Sequence, residues 1–147
     1  MADVYMKQRR PEIIEEEKRI AKELRDYVQS KIDEGLNYGH LSTDKRVYEY
    51  LYKIFSLEVQ EMGYNSHKIT DNVDEKEKKI IVFRTLADNS RNLGEAIDLN
   101  PDCSCVTLHM SKIFNDYKKA GVPVALQVLF HELEHIRQKQ MVYSRHM

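Results

Sequence analysis

The chain of 147 residues is long enough to bury one hydrophobic core and too short for two well-packed ones, so we expect a single domain over residues 1–147. Its 23 Lys and Arg residues balance 24 Asp and Glu residues, for a formal net charge of -1, which argues against nucleic acid or an anionic membrane surface as a partner. No apolar run approaches the roughly 18 residues that span a bilayer, and no signal peptide is recognisable. The two cysteines are too few for a disulfide framework. We therefore expect a cytoplasmic protein with no membrane segment.

Two amphipathic helices are predicted in the N-terminal half. The first covers residues 11–34: it starts with a proline, carries apolar residues at helical spacing and is stopped by Gly35. The second runs over 45–62, with Thr43 or Asp44 as its N-cap and an apolar side of aliphatic and aromatic residues. The pattern therefore predicts two long helices before any strand.

A small sheet is predicted in the middle of the chain. Residues 64–78 are polar and are interpreted as a loop, whereas "KIIVFRT" at 79–85 has the β-branched and aromatic content of a strand. Two further strand candidates, "EAIDL" at 95–99 and "CVTLHM" at 105–110, are separated by the turn residues "NPD". We expect these strands to form a mostly antiparallel sheet.

The C-terminal region is predicted to contain a short helix and a long one. The short helix is expected to run from a Ser111 cap to a Gly121 stop, and Pro123 is expected to open the last helix, whose N-terminal half should be buried nearly all round. The expected fold class is therefore α+β, with two long N-terminal helices, a small mostly antiparallel sheet, and the C-terminal helix packed on that sheet.

The last helix carries the sequence "LFHELEHIRQ" at residues 129–138, which contains the pattern HExxH. Consecutive helical residues rotate by about 100° and rise about 1.5 Å, so His131 and His135 project within about 40° of each other and lie about 6 Å apart along the axis. Both imidazoles can therefore reach one ion. Zinc accepts imidazole nitrogen in tetrahedral sites, and a catalytic zinc site keeps one position open, so His131 and His135 are the predicted metal ligands.

Glu132 is the predicted catalytic residue. It is rotated by about 60° from His135 on the same side of the helix, so its carboxylate can reach a metal-activated water without being a ligand. There it can act as the general base that takes the proton of the attacking water. Leu133 and Glu134 point elsewhere, so the spacing singles out one acid. The rival interpretation of the motif is an exposed or internally hydrogen-bonded His-Glu cluster.

The segment "VLFHELEHIRQ", with its apolar lead-in and the preceding edge-type strand "CVTLHM", resembles the active-site helix of the zincin metallopeptidases, the HExxH superfamily. The resemblance covers roughly residues 95–141 and leaves the first 65 residues unassigned. It implies that His131 and His135 bind zinc, that Glu132 is the general base, and that the substrate is a peptide or protein. It also implies that an edge strand holds an extended peptide by strand addition.

The chain departs from the zincin sub-families at the third ligand. Metzincins continue as HExxHxxGxxH, but Gln138 stands where the glycine would be and Met141 where the third histidine would be. Gluzincins take a glutamate from a later helix, and no later helix follows here. His146 could serve only if the chain turned back after about Tyr143, because a continuous helix would place it about 16 Å from His135. Upstream candidates for the third ligand are His40, His67, Cys103, Cys105 and His109.

Three functions therefore remain open. The first is a zinc-dependent metallopeptidase-like hydrolase, in which metal-activated water attacks a peptide or amide bond. The second is a non-catalytic zincin-like binding or regulatory module with an incomplete site, a reading that also fits a chain cut just after the motif helix of a longer domain. The third is a structural zinc site, which requires Cys103 and Cys105 to face His131.

Overall fold

A computed structural model describes residues 10–88 and 90–146, with side chains up to residue 139. The fold is α+β: within this part of the chain, four α-helices accompany a four-stranded mixed sheet, and the C-terminal helix packs on that sheet. In chain order the elements are α1 (Pro11–Asp33), a 3-10 turn (Tyr38–Thr43), α2 (Lys45–Glu61), β1 (Asn65–Lys68), β2 (Ile80–Leu86), β3 (Gly94–Asn100), β4 (Cys103–His109), α3 (Met110–Tyr117), a second 3-10 turn (Lys118–Ala120) and α4 (Gly121–His146).

The ends of α1 and α2 follow from local chemistry. Asp44 caps α2, because its Oδ1 accepts hydrogen bonds from the backbone N–H groups of Arg46 at 2.8 Å and Val47 at 3.2 Å. Beyond the helices, Gly35 and Gly63 adopt φ values of +99° and +83°, which favour glycine and end each helix. The glycine stop after the first helix and the Asp44 cap of the second are thus confirmed.

The sheet has the strand order β1-β2-β4-β3. β1 pairs with β2 and β2 with β4 in parallel, and only the β3–β4 pair is antiparallel, so the expected mostly antiparallel sheet is wrong. The short turn between β3 and β4 enforces an antiparallel hairpin, whereas the longer connections elsewhere permit parallel pairing. β1 also lies inside the segment expected to be a loop. As a result β4, expected to be an edge strand, is internal, and β3 forms the edge.

The two faces of the sheet have different partners. On one face, Phe83 and Leu108 belong to the main core together with Phe55 of α2 and Leu129 of α4. The opposite face carries a separate small cluster of Ile80, Val82 and Cys105, with Cys103 packed against it. The four helices therefore contribute to one side of the sheet, and α4 belongs to that side.

The boundaries of the last two helices differ from the sequence prediction. α3 begins at Met110, one residue before the predicted Ser111 cap, and α4 begins at Gly121 rather than at Pro123. Gly121 is needed for a close approach: a Cβ there would lie 2.7 Å from Cδ1 of Phe114. The expectation that the first half of α4 is buried nearly all round is wrong, since Phe130 is 36% exposed.

No α-helix in the described ranges combines the length and the apolar character that a membrane crossing requires.

Candidate metal centre

The motif helix α4 lies along the edge strand β3. Near the start of the strand, Val128 packs over Gly94: a Cβ added at Gly94 would lie 2.4 Å from Cγ1 of Val128. Further along, Lys139 Nζ lies 3.2 Å from Asp98 Oδ2. Residues 128, 132, 135 and 139 recur at helical spacing and so form one stripe of α4. Since both ends of this stripe contact β3, Glu132 and His135 lie between those contacts, on the side of α4 that faces the strand.

The two motif histidines converge on one point. Nε2 of His131 lies 3.0 Å from Nε2 of His135, and the rings meet edge to face with centroids 4.5 Å apart. Two imidazole nitrogens bound to one tetrahedral zinc at about 2.05 Å would lie about 3.3 Å apart, so a small adjustment of the side chains suffices for zinc. Both histidines are exposed to solvent. The pair can therefore hold a metal ion whose remaining positions are open to solution.

Glu132 completes the cluster. It is buried, with an exposed fraction of 8%, yet its carboxylate makes no hydrogen bond or ion pair with any residue that the structure describes. Its ligand oxygen and the two imidazole nitrogens all lie within 4.8 Å of one another. The structural sign of a possible metal site is therefore the convergence of one carboxylate and two imidazoles on one point beside α4.

The neighbouring residues of the motif are committed elsewhere. Glu134 accepts a hydrogen bond from Nε of Arg137 at 2.9 Å, and this contact lowers the pKa of the Glu134 carboxyl group. Leu133 is buried in the main core. As the spacing predicted, Glu132 is therefore the one carboxylate of the motif that is directed at the two histidines.

The cysteines lie on the wrong face of the sheet for a shared site. Cys103 and Cys105 point to the face opposite the helices, where Cys105 packs with Ile80 and Val82, so the predicted structural zinc site with His131 is wrong. The alternation of β4 does place both thiols on one face, but that face is turned away from α4. Burial, and secondarily the charge of Cys105, raises the pKa of the Cys103 thiol, which opposes the thiolate form that metals bind.

The remaining histidines are also not brought to the site. His109 contacts Asp88 and Glu95, and Nε2 of His67 lies 2.9 Å from Glu77 Oε1. His40, in the first 3-10 turn, is not part of the cluster. For His146 the deciding fact is the continuation of α4 to that residue, which puts its backbone about 16 Å along the axis from His135.

Among the described residues, the candidate centre consists of His131, Glu132 and His135, with no further histidine, cysteine or acid close enough to join them. The sequence pattern found all three. It did not find Gly94 or the Lys139–Asp98 ion pair, where the motif helix contacts β3, because contacts between distant segments leave no local signal. Comparisons with protein-family models, with curated proteins and with solved structures found no match.

Proposed function

We propose that this protein is a zinc-dependent hydrolase that cleaves a peptide or amide bond, with His131 and His135 as zinc ligands and Glu132 as the general base. The observation that carries the proposal is the convergence of the Glu132 carboxylate and the two exposed imidazoles, whose ligand atoms all lie within 4.8 Å of one another.

The chemistry divides between the metal and the chain. When bound, zinc acts as a Lewis acid that polarises a carbonyl group and lowers the pKa of water. His131 and His135 hold it through Nε2. Glu132 accepts the proton of the attacking water and returns it to the leaving nitrogen, a role for which its place beside both imidazoles on α4 is suited. The exposed side of the histidine pair gives substrate access from solution.

The edge strand β3 is the proposed substrate platform. Among the residues that the structure describes, it pairs with β4 alone, and it runs beside α4, so its outer backbone groups can pair with an extended peptide. This assignment moves the platform from "CVTLHM", where the sequence resemblance placed it, to residues 94–100, because the sheet buries β4 between β2 and β3.

The first test is zinc binding. We expect the purified chain to bind about one zinc ion, as measured by elemental analysis after dialysis against metal-free buffer. His131→Ala should lose the metal, because a single imidazole remains. His40→Ala is the matched control, since it removes an exposed histidine outside the cluster and should keep the zinc. Equal zinc content in the wild type and His131→Ala would contradict the assignment of the ligands.

The second test separates metal binding from catalysis. Glu132→Gln should retain zinc and lose hydrolysis of a peptide library, because glutamine keeps the size of the side chain and cannot accept a proton at neutral pH. General-base catalysis contributes about 10²- to 10⁴-fold in rate, and a loss of that size is expected. Activity within a few-fold of the wild type would refute the role of Glu132.

A second candidate, a non-catalytic binding or regulatory module, is favoured by the absence of a third histidine, cysteine or acidic ligand beyond Glu132 among the described residues. Catalytic zinc sites hold the ion with three protein ligands. On this hypothesis zinc binds weakly, is lost on dialysis, and no peptide is cleaved. The nitrogen distance of 3.0 Å is then explained by an N–H···N hydrogen bond between the two rings.

A further inference from the structure

We infer that the edge strand β3 selects an extended peptide with aliphatic side chains at two alternate positions and a basic side chain at the next alternate position. This inference rests on the proposed function, in which β3 is the substrate platform, and it adds the side chains that the substrate must carry. The residues that select them are Glu95, Ile97 and Leu99, which alternate along β3 on the face of the sheet turned away from α4.

The backbone pairing of β3 determines which of its residues approach an added strand most closely. The N–H of His109 donates to the carbonyl of Leu93 at 2.8 Å, and continuing the β3–β4 register places these two residues opposite each other. Hydrogen-bonded and non-hydrogen-bonded pairs alternate in an antiparallel ladder, so Glu95 and Ile97 direct their backbone groups at β4, whereas Ala96 between them directs its groups outwards. A peptide that pairs with these outward groups in the antiparallel direction, the slightly more stable one, has its side chains closest to Glu95 and Ile97.

An apolar row of side chains ends at Ile97 on the open edge. Val82, Cys105 and Ile97 are register partners across β2, β4 and β3, so they lie side by side on one face of the sheet. Val82 and Cys105 are buried, whereas Ile97 is 40% exposed. An aliphatic side chain of an added strand, placed opposite Ile97, continues this row and buries its last member.

A second apolar row ends at Leu99. Ile80 and Cys103 are register partners, and a bulge in β3 puts two residues of that strand, Leu99 and Asn100, opposite Cys103. Leu99 is 57% exposed, the largest exposure among the aliphatic residues of β3. A second aliphatic side chain, two positions away from the first along an extended peptide, lies at the height of Leu99.

The third row is polar and ends in an acid. Arg84, Thr107 and Glu95 are register partners, and Nε of Arg84 donates to Oγ1 of Thr107 at 3.1 Å. The Glu95 side chain is 36% exposed and contacts Nε2 of His109. Among the described residues, no lysine or arginine forms an ion pair with Glu95. A lysine of the added strand can supply this cation in a cross-strand pair of opposite charge.

The three rows together define the peptide. Because it runs antiparallel to β3, it meets Leu99 first, Ile97 second and Glu95 last, so its pattern is aliphatic, any residue, aliphatic, any residue, basic. The side chains between these positions point to the opposite face, on which α4 carries the two motif histidines.

Peptide binding to the Glu132→Gln chain tests the inference without cleavage. The probe is a fluorescent peptide with valine, valine and lysine at alternate positions and threonine between them, and its affinity is measured by fluorescence anisotropy. Replacing both valines with serine should weaken binding about tenfold or more, because two aliphatic cross-strand contacts are lost. Replacing the lysine with glutamate should weaken it about threefold or more, because like charges then lie opposite each other.

Matched variants locate the contact on β3. Ile97→Thr keeps a β-branched side chain and should weaken binding of the valine peptide about three- to tenfold. Ile69→Thr is the control, since Ile69 is 48% exposed just after β1, at the opposite edge of the sheet, and its loss should leave binding unchanged. Glu95→Lys should reverse the preference, so that the glutamate peptide binds more tightly than the lysine peptide.

Several outcomes would overturn the inference. They are equal affinity for the valine and serine peptides, equal affinity of the Ile97→Thr and Ile69→Thr chains, and no binding at millimolar peptide. Self-association of the chain that Ile97→Thr abolishes would also overturn it, by assigning the edge to a second copy. Cleavage without sequence preference would overturn the selection and leave the hydrolase standing, whereas selective binding without cleavage would support the selection and refute the hydrolase.

Discussion

The contact between Gly94 and Val128 gives a sharp test of how α4 is seated on the sheet. In Gly94→Ala, the added Cβ would lie 2.4 Å from Val128 Cγ1 and 3.1 Å from the carbonyl oxygen of Thr107. Neither neighbour can yield easily. The valine is β-branched and has one strongly preferred rotamer in a helix, and the carbonyl belongs to the central strand β4. Relief therefore requires α4 to move away from β3.

The expected cost follows from the size of that overlap. Overpacking a close-packed interior by one methyl group costs about 1–3 kcal/mol, and the 2.4 Å contact with a rigid side chain favours the upper half of that range. Val128→Ala removes the clashing methyl group and should by itself cost about 1–2 kcal/mol for the lost burial. In the double variant the clash is absent, so the two costs should not add. The double variant should therefore be more stable, by a coupling free energy of about 1–3 kcal/mol, than the sum of the two single losses would give.

Urea denaturation followed by circular dichroism measures these free energies. Gly39→Ala is the matched control, because a Cβ there meets only the tip of the Asn115 side chain, at 3.2 Å, and that amide can rotate away. It should lie within about 1 kcal/mol of the wild type. Two outcomes would show that α4 does not rest on β3 in this way. The first is a loss of unfolding free energy for Gly94→Ala equal to that of the control. The second is strict additivity of the losses for Gly94→Ala and Val128→Ala in the double variant.

Two further predictions concern residues outside the site. Iodoacetamide reacts with the thiolate, and burial raises the pKa of the Cys103 thiol. In a Cys105→Ala background, the alkylation of Cys103 should therefore reach half its maximal rate at a higher pH in the folded chain than in urea. Equal midpoints would contradict the burial of this thiol. Asp44→Ala should lower the free energy of unfolding by about 1–2 kcal/mol, because it removes the cap of α2 and the acceptor of the Tyr27 hydroxyl at 2.7 Å. Asp44→Asn should keep most of the cap. Identical urea midpoints for the wild type and both variants would contradict the capping role.

Local features of the fold could be predicted from the sequence because they depend on neighbouring residues. The proline at the start of α1 and the Asp44 cap of α2 act within one or two turns, and the hydrophobic spacing of both helices is a property of each segment alone. The three site residues were predictable for the same reason, since His131, Glu132 and His135 lie within five positions of one helix.

Strand direction and order could not be predicted, because they are set by long-range pairing. β1 has the sequence "NSHK", which contains no apolar residue, and its place in the sheet comes from pairing with β2 and from Ser66, whose hydroxyl lies 2.8 Å from that of Ser56 in α2. The parallel pairing of β2 and β4 leaves β3 at the edge, a topology that no local pattern encodes. Gly121 misled the prediction because its role is close packing against Phe114 rather than ending a helix.

The stoichiometry of zinc distinguishes the proposed hydrolase from its rivals more sharply than zinc content alone. Zinc takes about four ligands, and α4 supplies two imidazoles with an exposed outer side. If two chains shared one ion through four imidazoles, the site would be closed, zinc would drive dimer formation, and each chain would carry half an ion. Such a site has no open position and cannot activate water. The hydrolase requires one ion per chain and a state of association that zinc does not change. Sedimentation of the protein with and without zinc, over a range of concentrations, therefore separates an open, catalytic ion from one that joins two helices.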